Sequence, residues 1–324
     1  MGTVVLGTGS CLPGRVLTNV ELESIVDTSA DWIKSRTGIE SRHIGGKGEK
    51  TYQLAAQAAQ KALEAAGVSA EELGLIVLGT ISSHMLMPSS ACFVQNELGA
   101  KNAFAYDLNA ACSGFLYGLD LADKYIQADH SMKVLVIGAE TLSSRLNWQD
   151  RNTCILFGDG AGAAVCGYSD SDRGLIGSNM RSDGSLGELL RMHAPESFNP
   201  DLIVEGNPGA YIQMEGREVF KHAVRAMEDA VFGLLEREKI SKESLSLVIP
   251  HQANMRILNK LIARLDIPQS KVFINVSKYG NTSAASIPIA LDEANSSGLI
   301  AKGDTVLFCS FGGGFTWGAT LIKW

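Results

Sequence analysis

The chain has 324 residues and a formal net charge of −7, with 45% hydrophobic and 19% charged residues. That balance supports a large buried core in one big domain or two ordinary ones, and it argues against nucleic acid as the main partner, which calls for a basic surface. No apolar run approaches the roughly 20 residues of a membrane span. Thr3-Val-Val-Leu-Gly7 enters a strand without the regions of a signal peptide, so a cytoplasmic protein with no membrane contact is expected.

In chain order, the first strong signal is a helix over Thr51–Ala66. Leu54, Ala55, Ala58, Ala59, Ala62, Leu63 and Ala66 share one face, and Gly67 stops it. A buried strand follows at Leu75–Gly79. Residues 102–110 read as a strand and Ser113–Gln127 as a helix with Phe115, Leu116, Leu119, Ala122 and Ile126 inward; Lys133–Gly138 is the next strand. An amphipathic helix over 218–236 leads to strands at Ser246–Pro250 and Asp304–Phe308.

The second half repeats the order of the first. Leu73 and Leu245 are 245 − 73 = 172 apart, and the strands beginning at Lys133 and Asp304 are 304 − 133 = 171 apart. A near-constant offset predicts two duplicated α/β halves, 1–172 and 173–324, each a right-handed βαβ sheet with helices shared between layers. The alternative is chance similarity between α/β segments. Under the repeat, Cys112 falls opposite Ser283 or Ala284, beside Asn281, and both loops should meet at one site.

Six cysteines show no CxxC pair and no cluster with histidine, so they read as reduced thiols, mostly small core residues, and no metal is expected. Cys112, in Asn109-Ala-Ala-Cys-Ser-Gly-Phe115, differs because it stands at a helix start. The macrodipole and unpaired N–H groups there favour thiolate, while Gly114 and Gly118 leave room for close backbone approach. A buried structural cysteine is the competing reading. His251 ends the strand before Gln-Ala-Asn254, at the sheet edge where α/β proteins hold ligands. Asn281 sits in the glycine-flanked Tyr279-Gly-Asn-Thr-Ser-Ala284.

Together these motifs resemble β-ketoacyl-acyl-carrier-protein synthase III, a family of thiolase-like condensing enzymes. Asp31-Trp-Ile-Lys-Ser-Arg-Thr-Gly-Ile39, Phe157-Gly-Asp-Gly-Ala-Gly162 and Phe311-Gly-Gly-Gly-Phe-Thr-Trp-Gly318 stand in family order around them. The resemblance implies a duplicated five-layer αβαβα fold and a homodimer. It implies that Cys112 takes an acyl group from a short acyl-CoA, with the N–H groups of Cys112 and Gly313 as oxyanion hole. Malonyl-acyl-carrier protein then loses carbon dioxide, and His251 and Asn281 donate hydrogen bonds to the enolate. No metal or redox cofactor is expected, since acyl-CoA is a substrate.

Asn281 separates this pattern from elongating ketoacyl synthases, which place a second His there. Thiolases use a second Cys beside the C-terminal glycines, and hydroxymethylglutaryl-CoA synthases a Glu after the strand that here ends Gly79-Thr-Ile-Ser-Ser83; neither residue is present.

By the same resemblance Trp32 and Arg151 sandwich the CoA adenine and Arg36 and Thr28 meet its phosphates. Gly216 also belongs to the CoA site, Phe220 and Asn254 line the pantetheine tunnel, and Phe311 and Met87 belong to the acyl pocket, Met87 reaching that of the partner subunit. Met87, Asn152 and Arg217 depart from the family's more familiar Phe, Gly and Asn. A flexible Met admits a longer or branched primer, so a secondary-metabolite ketosynthase or acyltransferase of the same fold is the alternative function. A non-catalytic acyl-CoA or carrier-protein binding module, with Cys112 structural, is the rival from another class. Spacing adds two basic stripes, Arg217, Lys221 and Arg225 on one helix and Arg256, Lys260 and Arg264 on another. Like charges at i, i+4 are mildly destabilising, which suggests docking of an acidic carrier protein, with a merely solvated face as the plain alternative.

Overall fold

The apolar runs form the strands of two main sheets in a computed structural model that describes residues 2–193 and 211–324. The first sheet is ordered Gly2–Cys11, Asp159–Ser169, Lys133–Thr141, Leu73–Gly79, Phe104–Leu108. The second is ordered Gly174–Ser182, Thr316–Lys323, Thr305–Gly312, Leu247–Pro250. A parallel bridge from Val248 to Val272 stands where the first sheet has its fifth strand. Both sheets are mixed, not the purely βαβ sheets expected. In each, a hairpin return and one more antiparallel strand complete the edge that parallel strands begin.

Two helices lie between the sheets. Phe115, Leu116, Leu119, Ala122 and Ile126 of the helix Gly114–Ala128 and Ile287, Ala290, Leu291 and Ala294 of the helix Ser286–Ser296 join Val77, Val136, Ile249 and Phe308 in one core. The helices Thr51–Ala66 and Ser90–Leu98 cover the far face of the first sheet. Gly216–Glu238 and Met255–Leu265 cover that of the second. The result is a five-layer αβαβα fold. Strands covered on both faces must be apolar along their length, which is why Leu75–Gly79 reads as a continuous run.

The repeat is visible in small features as well as in the sheets. The left-handed helix ends at Gly67 and Lys239 are 239 − 67 = 172 apart. The 3-10 turns beginning at Ala111 and Ser283 are 283 − 111 = 172 apart, and each runs directly into a central helix. Ala284 is therefore the counterpart of Cys112.

Glycines let these turns press on strand ends. A Cβ on Gly79 would stand 2.8 Å from the Gly114 carbonyl carbon, and one on Gly138 would stand 2.1 Å from the Ala284 oxygen. Each separation is closer than carbon or oxygen tolerates, so only glycine allows the approach. Five of the cysteines are buried, as a reading of mostly core residues has it, and Cys92 is exposed. Among the described residues no helix is long and apolar enough to cross a membrane.

Candidate active site

The two turns and the end of the strand Leu247–Pro250 converge on one cavity of about 820 Å³. Cys112, His251, Asn281 and Gly313 line it, together with Gly216, Phe220, Asn254 and Phe311.

Each reacting group is held by its backbone. Ala111, before the cysteine, has φ 46°, and Gly312 packs so tightly on the turn that a Cβ would come within 2.6 Å of the Cys112 nitrogen. Among the described residues, neither the Cys112 N–H nor the Gly313 N–H donates to a protein acceptor. His251 donates its N–H to the Cys309 carbonyl at 2.8 Å. Next to it, Gln252 accepts from the Asn275 and Val276 N–H groups at 3.0 and 3.2 Å, which pins the loop. Asn281 donates its N–H to the Leu156 carbonyl at 2.8 Å, and its side-chain oxygen accepts from the Ser283 N–H at 2.8 Å. With the oxygen so occupied, the amide NH₂ is the end left for the cavity.

Burial sets the charges. The Cys112 thiol is pushed from 9 up to about 12, chiefly by desolvation, with the Ser283 hydroxyl easing it and the Glu140 carboxylate adding to it. That rise corresponds to roughly 4 kcal/mol against the thiolate. A helix N-terminus typically returns about 0.3–1 kcal/mol. The thiolate expected from the helix start is therefore not the resting form: Cys112 rests protonated. His251 falls to about 4 through burial, so it is neutral near pH 7. Its Nδ1 is buried without a partner. The neutral ring carries one N–H, which a donor role requires.

Comparison with known proteins follows this geometry. The family model of 3-oxoacyl-acyl-carrier-protein synthase III matches residues 106–184, and the model of its C-terminal part matches residues 235–324. The β-ketoacyl-acyl-carrier-protein synthase III of Desulfotalea psychrophila is 58% identical over 324 residues, all of both chains. This chain belongs to that family. The crystal structure of the synthase III from Aquifex aeolicus superimposes with a TM-score of 0.93 at 50% identity, covering all of both chains. A priming β-ketosynthase from a polyketide biosynthetic pathway superimposes with a TM-score of 0.92 at 35% identity over 99% of this chain and 96% of that one. The more similar relatives are thus the synthases III, and the secondary-metabolite alternative is not favoured.

Within this synthase III framework other expected residues divide. Asn254 lines the cavity with its amide oxygen committed to the Ile257 N–H at 3.0 Å, capping the helix Met255–Leu265. Thr28, Trp32, Arg36 and Arg151 are not in the cavity wall. Arg151 stands 5.1 Å from the Trp32 ring centre and Arg36 5.8 Å. A base stacked between two planar groups needs about 7 Å, twice a van der Waals separation, so the Trp32–Arg151 gap must widen by roughly 2 Å to admit one. The Thr28 hydroxyl is buried and unpartnered rather than presented outward.

Met87 is 84% exposed and lies outside this chain's cavity wall, which its neighbours Met85 and Leu86 do line. Of the basic stripes, Lys221 pairs with Glu218 at 2.6 Å, Arg225 with Asp229 at 3.8 Å, and Arg264 with Glu228. Among the described residues Arg217, Arg256 and Lys260 form no ion pair and stand exposed.

Sequence reasoning missed Glu140, fully buried at the end of the strand Lys133–Thr141. Thr80 and Ser82 hydroxyls and the Ile81 N–H donate to it, at 3.1, 2.5 and 3.1 Å. The signal was available: it is the only acid in the strand and follows the apolar run Val134–Ala139. Leu142, Leu156, Leu190 and Ile212, which line the cavity, were also missed because single apolar residues carry no motif.

Proposed function

We propose that this protein condenses a short acyl-CoA primer with malonyl-acyl-carrier protein to give a β-ketoacyl-carrier protein and carbon dioxide, the step that initiates fatty acid synthesis. The observation that carries it is the meeting of a thiol, a neutral imidazole and an amide NH₂ in one cavity beside two unspent N–H groups. In this reading the Cys112 sulfur attacks the acyl thioester, and the oxyanion accepts from the Cys112 and Gly313 N–H groups, each worth about 3 kcal/mol of barrier. Coenzyme A leaves, and the malonyl thioester enters. Decarboxylation places negative charge on the thioester oxygen, which accepts from His251 Nε2–H and the Asn281 NH₂. The carbanion then attacks the acyl group on Cys112.

Trp32, Arg36, Arg151 and Thr28 are proposed for the nucleotide end of coenzyme A, and Gly216, Phe220 and Asn254 for the pantetheine. Arg217, Arg256, Lys260 and Lys221 are proposed for the carrier protein. The reaction is redox-neutral and calls for no cofactor. A homodimer is proposed on two surfaces: the edge strand Phe104–Leu108 carries Phe104 at 47% exposure, and the apolar tip Met85-Leu86-Met87 is uncovered. An edge strand with unspent backbone groups invites pairing, and such an apolar tip invites burial. The halves 1–172 and 173–324 are proposed as the duplicated units, and the cytoplasm as a compartment that keeps Cys112 reduced.

Radiolabelled acetyl-CoA and malonyl-carrier protein should give labelled ketoacyl product with release of carbon dioxide. Undiminished activity in Cys112→Ala would overturn the reading.

A further inference from the structure

A functional imidazole is commonly fixed by a hydrogen bond on one ring nitrogen, which decides what the other presents. His251 lacks that hold: its Nδ1 is buried without a partner among the described residues. The aim of the ring therefore depends on the backbone that carries it, and the next residue fixes that backbone. His251, Ala253 and Asn254 line the cavity, while Gln252 between them does not and is 1% exposed. A side-chain amide has two N–H donors and an oxygen with two lone pairs, and here all four are spent. Gln252 Nε2 donates to the Pro250 and Phe273 carbonyls at 2.8 and 3.2 Å, and its Oε1 accepts from the Asn275 and Val276 N–H groups at 3.0 and 3.2 Å.

The far side of this clamp leads to Asn281. Val276 opens the short helix Val276–Tyr279, the Gly280 N–H closes it on the Val276 carbonyl at 2.9 Å, and Asn281 follows. Asn275 is also tied to the central helix Ser286–Ser296, its Nδ2 donating to Glu293 at 3.0 Å. Among the described residues no hydrogen bond joins His251 to Asn281 directly. Beyond the strand bridge at Val248 and Val272, the hydrogen bonds between 249–254 and 273–281 among the described residues all run through the Gln252 amide. The thiol is held from elsewhere. The Thr316 hydroxyl donates to the Ala110 carbonyl at 2.7 Å, and the Ser310 hydroxyl donates to Ser113 Oγ at 2.9 Å.

Resting on the condensing function proposed above, we propose that Gln252 is a positioning residue for decarboxylation, setting the spacing at which the His251 and Asn281 donors meet one enolate oxygen. It touches no reacting atom, because it stands behind the cavity wall. Two donors aimed at one oxygen must both be in place as charge develops there, and a misplacement of about 1 Å costs about 10²-fold. A hydrogen bond on Nδ1 would give the His251 ring a second hold; without it, loop and ring move together. Acyl transfer to Cys112 uses a different turn and different N–H donors, so it does not depend on this clamp.

The test compares the two half-reactions in the full-length protein. In Gln252→Leu, which removes all four hydrogen bonds, carbon dioxide release by the acetylated enzyme at saturating malonyl-carrier protein should fall about 10²-fold, with half-saturation within about threefold. Acyl-Cys112 formation from acetyl-CoA, followed by quenched-flow mass spectrometry, should stay within about threefold of the wild-type rate. Gln252→Glu keeps an acceptor for the Asn275 and Val276 N–H groups, so it should fold, and its carbon dioxide release should fall less, about tenfold. That variant carries the test if Gln252→Leu does not fold. Carbon dioxide release within about twofold of wild type in the folded variants overturns the positioning role alone, and so does a parallel loss of loading and release. Failure of the wild type to load acetyl-CoA or to release carbon dioxide overturns the condensing function itself.

Discussion

The turn at Ala111–Ser113 and the turn at Ser283–Ala285 have the same backbone and opposite chemistry. Each opens on a left-handed residue, φ 46° at Ala111 and φ 50° at Ser283, and each feeds a central helix. Each also presses a strand end through glycine, Gly79 under Gly114 in one case and Gly138 under Ala284 in the other. Yet the first presents a thiol where the second presents a methyl group. Geometry that delivers a side chain into a shared cavity is demanding and was kept in both copies. Which side chain is delivered cost the backbone nothing and diverged, so the second turn contributes an amide at Asn281 and a hydroxyl at Ser283.

Breaking the first turn should have the largest effect. Cys112→Ala removes the only thiol lining the cavity among the described residues, and ketoacyl product should fall at least about 10³-fold with no acyl-enzyme by mass spectrometry. Asn281→Asp tests the second. The Ser283 N–H retains an acceptor, so the fold should hold, while loss of the NH₂ donor should slow carbon dioxide release about 10²–10³-fold and leave acetyl loading within a few-fold.

The glycines sharpen the comparison at the level of packing. Gly138→Ala meets the Ala284 oxygen at 2.1 Å and Gly79→Ala meets Gly114 at 2.8 Å, so both should destabilise, Gly138→Ala more. Overpacking of this kind costs about 1–3 kcal/mol, or roughly 2–9 °C in Tm, read by calorimetry.

Two buried groups outside the turns add a dependence on pH. His251, lowered to about 4, should keep carbon dioxide release flat from about pH 5 to pH 8. Its folded value lies below its unfolded one, so its contribution to stability is present above about pH 6.5 and is lost as pH falls toward 4. Glu140 has the reverse sign. Its folded value is raised to about 7, so its contribution is present below about pH 4.5 and lost as pH rises through 7, a dependence that Glu140→Gln should remove from melting curves. The smallest effect lies outside both turns. Arg256→Glu should raise the KM for malonyl-carrier protein several-fold in a salt-sensitive way, more than Lys221→Glu, because Lys221 already pairs with Glu218.

Much of the frame was legible in the chain. The helix Thr51–Ala66 has the bounds read from its apolar face and Gly67, and all five inward residues assigned to the helix after Cys112 are buried. These readings succeed because periodicity and stop signals are local. Glu140 was not legible as a buried carboxylate, because its partners Thr80, Ile81 and Ser82 stand 58 to 60 residues away in the chain. The state of the thiol was misread for a related reason. A helix start can be seen in sequence, but the desolvation that outweighs it depends on everything packed around it.

The sequence by itself determined the two-fold repeat, the alternation of strands and helices, and the Cys, His and Asn of the candidate site, because motifs and periodic patterns are written in neighbouring residues. Only the tertiary structure decided that Cys112 faces Ala284's turn, that burial holds thiol and imidazole neutral, and that Glu140 is buried against Thr80, Ile81 and Ser82. Those facts come from distances between residues far apart in the chain and from the low-dielectric surroundings they create, and no run of neighbouring residues encodes either.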